Sequence, residues 1–205
     1  VREGAAFVVM PRIEAVTLSE LMDRKGALEQ DWIRQVVRAV GETLEVIHQL
    51  GVHGDVKPSN VYVDADDAVI VSDPWFLEGL AGIRDAAGLA PRADAWLAPE
   101  QSEGGWQERP ETDIYRLAML MGWLLAGEVV EGGRSLIDQG VSCTEDLDAV
   151  FLRATQVDPG ERFGQVGAFL EALPTNDWNI AEELEAQESD TREVNEVDPL
   201  AETIG

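Results

Sequence analysis

The chain has 205 residues, 45% of them hydrophobic, which is enough for one compact domain plus a tail and excludes wholesale disorder. Forty acidic residues against fifteen basic ones give a net charge of −25, which repels phosphate backbones and argues against nucleic-acid binding. The same charge attracts basic protein partners or simply solvates the surface. Cys143 is the single cysteine, so no internal disulfide exists, and with only His48 and His53 beside it zinc chemistry has little material.

In chain order, the apolar run Ala6 to Met10 ends at Pro11 and reads as a strand entering an extended connector. Thr17 to Arg24 reads as a short helix. Asp31 is placed to cap a long helix reaching about Leu50, with Ile33, Val36, Val37, Val40, Leu44, Ile47 and Leu50 on one buried face and Gly51 ending it. Val61–Val63 and Ala68–Val71 read as a short hairpin joined by Asp64-Ala65-Asp66-Asp67. Asp113 to Ala126 is apolar nearly all round, as a central helix should be, and Gly127 stops it. The run Leu117 to Val130 is broken by Gly122, Gly127 and Glu128 and is shorter than the ~20 residues a bilayer span needs, so it reads as buried helix. Ser142 to Gln156 and Glu161 to Leu173 read as two further helices around the turn Asp158-Pro159-Gly160, with Ser142 and Glu145 at capping-box spacing. Residues 176–205 hold ten Asp or Glu against Arg192 alone, a net of −9 that leaves −16 on the body, and read as a flexible or partner-docked acidic tail. A soluble, cytoplasmic protein without a membrane span is expected.

The stretch that carries chemistry is His53-Gly54-Asp55-Val56-Lys57-Pro58-Ser59-Asn60, followed by Asp73 at the end of the second strand. Phosphoryl transfer needs a carboxylate to orient the attacking hydroxyl and accept its proton, a cation on the moving phosphoryl group, and oxygen ligands for magnesium. Asp55, Lys57, Asn60 and Asp73 fill that inventory in that order. Each alone has a structural explanation in a turn or a solvated surface; their ordered combination after an amphipathic helix is what points to function.

On these residues the chain resembles the eukaryotic-type protein kinases across residues 6–174. The pattern His-Arg-Asp-x-Lys-x-x-Asn is matched from His53 to Asn60 with Gly54 in place of the arginine, and Lys57-Pro58-Ser59-Asn60 resembles the Ser/Thr branch. Asp73 stands where the Asp-Phe-Gly aspartate stands, Ala98-Pro99-Glu100 matches the end of the activation segment, and Asp158-Pro159-x-x-Arg162 resembles the late signature. The resemblance implies a mainly α fold, the large C-terminal lobe: a helical bundle with a short β-hairpin carrying the catalytic loop, and no small lobe in this chain. It implies residues 1–16 as the end of the small lobe and hinge, 17–175 as the C-lobe, and 176–205 as the acidic tail. It implies ATP and Mg2+ as cofactors of the intact parent protein, with weak or absent binding and no activity expected of this chain alone; Asp55 is implied as base, Lys57 on phosphate, and Asn60 and Asp73 on the metal. Met10, Pro11, Ile13 and Tyr62 fall at adenine-pocket positions. By the same resemblance Glu100 and Arg162 form a buried ion pair, and Asp113 holds the catalytic-loop backbone.

Several positions depart from that pattern. Asp73 is followed by Pro74 and Trp75, which suppresses the usual flip of this turn. Gly54 removes the arginine that reads an activation-segment phosphate, and residues 73–100 contain no Ser, Thr or Tyr to carry one. Ala93 stands where a Thr contacts the aspartate and lysine of the loop. The phosphate-clamping strands expected before residue 6 would belong to a longer parent protein or to another chain. Two readings stay open: a Ser/Thr kinase domain acting on protein substrates, and a pseudokinase working as a regulatory docking module. A third expectation is a partner surface where a small lobe would sit, with Thr191 and Thr203 as tail phosphoacceptors or as parts of an ordinary polar linker.

Overall fold

The computed structural model describes residues 11–26, 28–74, 95–102, 109–175 and Trp178. Met10, Trp75, Ala93 and the strand expected over Ala6–Met10 lie outside them, as does the rest of the acidic tail.

A buried central helix organises the molecule. Helix α4 (Pro110–Ala126; the other labels follow below) buries every residue from Thr112 to Gly122, so it has no solvent face in that stretch. It starts three residues before Asp113 because Pro110 occupies the first turn, where its missing N–H costs nothing, and it stops where Gly127 takes a left-handed φ of 76°. Helix α2 (Gln30–Ile47) lies against it through Ile33, Val36, Val37, Val40 and Leu44. Helices α5 (Glu145–Ala154) and α6 (Val166–Ala172) complete the core with Leu147, Phe151, Phe169 and Leu170. Helix α1 (Leu18–Lys25) is closed by a reciprocal cap in which Thr17 and Glu20 exchange hydrogen bonds. Helix α3 (Pro99–Ser102) is one short turn.

The sheet has three antiparallel strands in the order β1 (Val16–Thr17), β2 (Val61–Val63), β3 (Val69–Val71). Strands β2 and β3 are the expected hairpin, with Tyr62 opposite Ile70. Strand β1 was not expected; it sets Thr17 opposite Tyr62 and ties the connector from Pro11 to the hairpin.

Three helices differ at their ends from the sequence reading. Helix α2 starts from Glu29 rather than Asp31 and ends at Ile47, so Leu50 is 77% exposed in the following turn instead of buried. The cap of α5 is Thr144, which accepts from the Leu147 N–H, and not Ser142. Helix α6 begins at Val166 rather than Glu161, because the Asp158 side chain caps a separate 3-10 turn over Pro159–Glu161 and Arg162 is extended. Trp178, inside the span expected to be tail, is 1% exposed: its carbonyl accepts from the Thr144 N–H and its indole donates to the Pro174 carbonyl. The folded body therefore reaches at least that far. No helix among the described residues is long and apolar enough to cross a membrane.

Candidate functional site

The loop between α2 and β2 is an extended strip with alternating faces. Val56, Pro58 and Asn60 point inward while Asp55 and Lys57 stay partly open, so burying the apolar side chains presents the charged ones together. A 3-10 turn over Pro58–Asn60 then feeds Val61 into β2.

Asp113, wholly buried on α4, fixes the start of this strip. One carboxylate oxygen accepts from the His53 N–H at 2.7 Å, and the other from the Gly54 N–H at 2.7 Å. His48, at the end of α2, donates to the same carboxylate at 2.9 Å. These are charge-assisted bonds in a dry place, the strongest kind available to hold a loop. Gly54 has φ 77°, a conformation that a side chain would strain, so glycine here has a backbone reason.

His53 forms the second anchor. The Asp55 N–H donates to its Nδ1 at 3.2 Å, so Nε2 carries the proton and donates to the Ser72 carbonyl at 3.0 Å. Burial pushes the imidazole below its ordinary value against the raising pull of the Asp113 charge, so the ring is neutral.

Three of the expected four residues are in contact, and Asp73 lies beside a serine that bonds the third. Lys57 Nζ lies 2.7 Å from Asp55 Oδ2, and Asn60 Nδ2 donates to the same oxygen at 3.0 Å and to the Asp55 carbonyl at 2.9 Å. Asp73 joins through Ser72, whose N–H donates to the Asn60 carbonyl at 2.9 Å and whose hydroxyl donates to Asp73 Oδ2 at 3.1 Å. Asp73 sits at φ 58° immediately before Pro74, a strained backbone state of the kind that concentrates at functional turns. Glu100 and Arg162 form a two-pronged pair with both N···O distances 2.8 Å, so this ion pair is present as expected. Burial alone would raise the Glu100 carboxyl, but hydrogen bonds from Arg162 and Thr112 outweigh it and hold it below its ordinary value.

The adenine-pocket positions are less tightly tied. Tyr62 is half-buried on the face of β2 opposite Val61 and Val63, and Pro11 and Ile13 lie on the chain leading into β1. No hydrogen bond or ion pair joins the side chains of these three to the quartet among the described residues.

Two residues at the site escaped the sequence reading. Arg116, on α4 and 1% exposed, places Nη1 3.0 Å from Asp55 Oδ1 and donates from Nε to Gln101 Oε1 at 2.8 Å. Gln101 donates in turn to the Gly54 carbonyl at 3.1 Å. The signal was available: Arg116 and Asp113 are the two charges in the fully buried stretch from Thr112 to Gly122, and such a charge needs a partner.

Comparison with known proteins agrees with this geometry. Residues 2–158 match the protein kinase domain family. The serine/threonine-protein kinase PknL of Mycobacterium tuberculosis is 32% identical over 156 residues, covering 75% of this chain and 38% of the relative. PknB of the same species is 27% identical over 179 residues, covering 77% and 28%. The solved PknI kinase domain of M. tuberculosis superimposes with a TM-score of 0.62 at 25% identity, over 78% of this chain and 62% of that one. This chain therefore belongs to the protein kinase domain family, with the mainly helical, C-lobe-dominated fold of that family. It spans between about a quarter and two fifths of the length of the curated relatives it matches.

Proposed function

We propose that this chain is the phosphoacceptor-side lobe of a protein Ser/Thr kinase that transfers the γ-phosphoryl group of Mg·ATP to protein hydroxyls in the cytoplasm, where ATP is available. One observation carries the reading: Asp55, Lys57 and Asn60 are in mutual contact, Asp73 is one serine away, and all sit on a loop anchored to the central helix. Asp55 orients the acceptor hydroxyl and takes its proton. Lys57, 26% exposed in its side chain, is placed on the solvent side, from which it can turn to the phosphoryl oxygens.

The residues present suit magnesium. Asn60 spends its amide NH2 on Asp55, which leaves Oδ1 with a long 3.5 Å contact from Ser59, and Asp73 spends one carboxylate oxygen on Ser72. That leaves one oxygen on each for a hard cation that takes few protein ligands and keeps phosphate and water for the rest. When bound, the metal neutralises charge on the phosphates. Among the described residues no group of three or more His, Cys, Asp or Glu is arranged as a self-sufficient metal cage, which fits a site completed by nucleotide. Tyr62, Ile13 and Pro11, together with Met10, are assigned to the adenine end.

A second reading, a pseudokinase that docks a regulatory protein, is favoured by one feature: Lys57 already neutralises Asp55 at 2.7 Å. Radiolabelled phosphotransfer to a mixed protein acceptor, run below the unfolding temperature of every variant, separates the two. Incorporation that Asp55→Asn abolishes supports the kinase. Incorporation that survives the change removes Asp55 as base. Saturating Mg·ATP at a hundred times Kd adds about 2.7 kcal/mol to a protein that binds it. Absence of a thermal shift at millimolar Mg·ATP in the longest form of the protein supports the docking module.

A further inference from the structure

We propose that Arg116 is a positioning residue for Asp55: a buried cation that fixes the direction of the loop carboxylate and keeps its charge compensated when Lys57 turns away. The assignment deepens the kinase reading and rests on Asp55 as its base.

The argument starts from the cost of the charge. Arg116 is 1% exposed on a helix whose neighbouring residues are buried on every side. A guanidinium there is tolerated only with close partners, and three contacts supply them: Nη1 to Asp55 Oδ1 at 3.0 Å and to the Val56 carbonyl at 3.4 Å, Nε to Gln101 Oε1 at 2.8 Å. Gln101 closes a ring. Its Oε1 also accepts from the Ala98 N–H at 3.0 Å, and its Nε2 donates to the Gly54 carbonyl at 3.1 Å. The catalytic loop, the Ala98-Pro99-Glu100 segment and the central helix are thus held by one planar fork and one amide.

Counting donors on Asp55 shows what the fork does. A carboxylate offers about four lone-pair sites. Oδ2 receives Lys57 and Asn60, and Oδ1 receives Arg116, so among the described residues the vacant position is on Oδ1. An acceptor hydroxyl can reach Oδ1 without displacing any donor, and its line of approach is set by where Arg116 holds that oxygen. The two cations also differ in mobility. Lys57 is 26% exposed in its side chain and Arg116 is 1% exposed, so Lys57 can leave for a phosphoryl group while Arg116 cannot. Lysine at position 116 could not reproduce this, since a single ammonium lacks the planar fork that spans Asp55 and Gln101.

A thermal-unfolding cycle tests the pairing without reference to activity, using Asp55→Asn, Arg116→Met and the double variant. Asp55→Asn orphans a buried guanidinium and should lower Tm by roughly 6–12 °C. The double variant should recover most of that loss, since replacing both partners of a buried pair is often close to neutral. Tm changes that simply add overturn the clamp, whether or not the protein transfers phosphate. Should Arg116→Met not fold, the cycle is run with Arg116→Lys, which keeps the charge and must still depart from additivity with Asp55→Asn.

The positioning role is read kinetically. Arg116→Met should lower kcat about a hundredfold with the KM for ATP unchanged, and Arg116→Lys should restore part of it. An unchanged kcat overturns positioning. If the longest form of the protein shows no phosphotransfer, the kinase reading and the positioning role fail together, while a non-additive cycle keeps the Arg116–Asp55 pair as a structural clamp.

Discussion

Two carboxylates of this molecule each meet arginine, and they are built for different ends. Around Arg162 every donor is used: two N–H groups go to Glu100, and the others to the carbonyls of Gln156, Glu111 and Val157. The guanidinium also lies 4.8 Å over the Tyr115 ring. Nothing is left to offer a ligand. Around Asp55 the partners are as close, but among the described residues one lone pair stays vacant, the side chain is 14% exposed, and one of its cations is itself 26% exposed. A saturated pair stores stability. An incompletely satisfied one, held by saturated neighbours, is where chemistry can enter.

That contrast is broken most forcefully at Arg162. Arg162→Ala removes the partner of a buried carboxylate and frees the carbonyls that the guanidinium satisfied. The expected loss is about 3–5 kcal/mol, read from denaturant midpoints at constant m. Asp113→Ala comes next. It strands the His53 and Gly54 N–H groups in a dry interior, and about 2–4 kcal/mol should be lost. Hydrogen exchange at residues 53 and 54 should rise more than at α4, because the catalytic loop and not the helix loses its anchor.

How much of this was legible in the sequence depends on whether order along the chain or closeness in space carried the signal. Lys57, Asn60 and Asp73 could be placed because their spacing from Asp55 is fixed by a short loop and hairpin. The Glu100–Arg162 pair came only through family resemblance, since the two lie far apart in the chain. Helix α4 was legible from its composition, yet Arg116 inside it was passed over, because a periodicity argument treats one charge as noise where burial makes it a demand. Strand β1 was invisible for another reason: a two-residue strand has no pattern, and only its partner Tyr62 reveals it. The start of α6 failed through competition, with the Asp158 cap stabilising a separate turn where helix periodicity could have continued.

Acid should separate the two regions again. His53 is held below its ordinary 6.5 by burial, so as pH falls through 6.5 the unfolded chain takes up a proton that the folded one refuses. Stability is then full above that value and declines below it. Glu100 is held below its ordinary 4.5, so its contribution is present above 4.5 and is lost only as pH falls further. Chemical denaturation from pH 8 to pH 4 should show decline beginning near 6.5, and His53→Gln should remove that first phase while leaving the one below 4.5. A flat profile between pH 7 and 5 would contradict the buried, neutral imidazole.

The smallest stability effect belongs to a residue with a large proposed chemical one. Lys57 is bonded to Asp55 at 2.7 Å, but its side chain is 26% exposed and water can take over its ammonium. Lys57→Ala should therefore cost under about 1 kcal/mol, because Asp55 keeps Arg116 and Asn60. In the kinase reading the same change removes a cation from the developing charge and should lower turnover by about two to three orders of magnitude. A stability loss near that of Arg162→Ala would mean that Lys57 is scaffold like Arg162, and the division between the saturated pair and the open one would disappear.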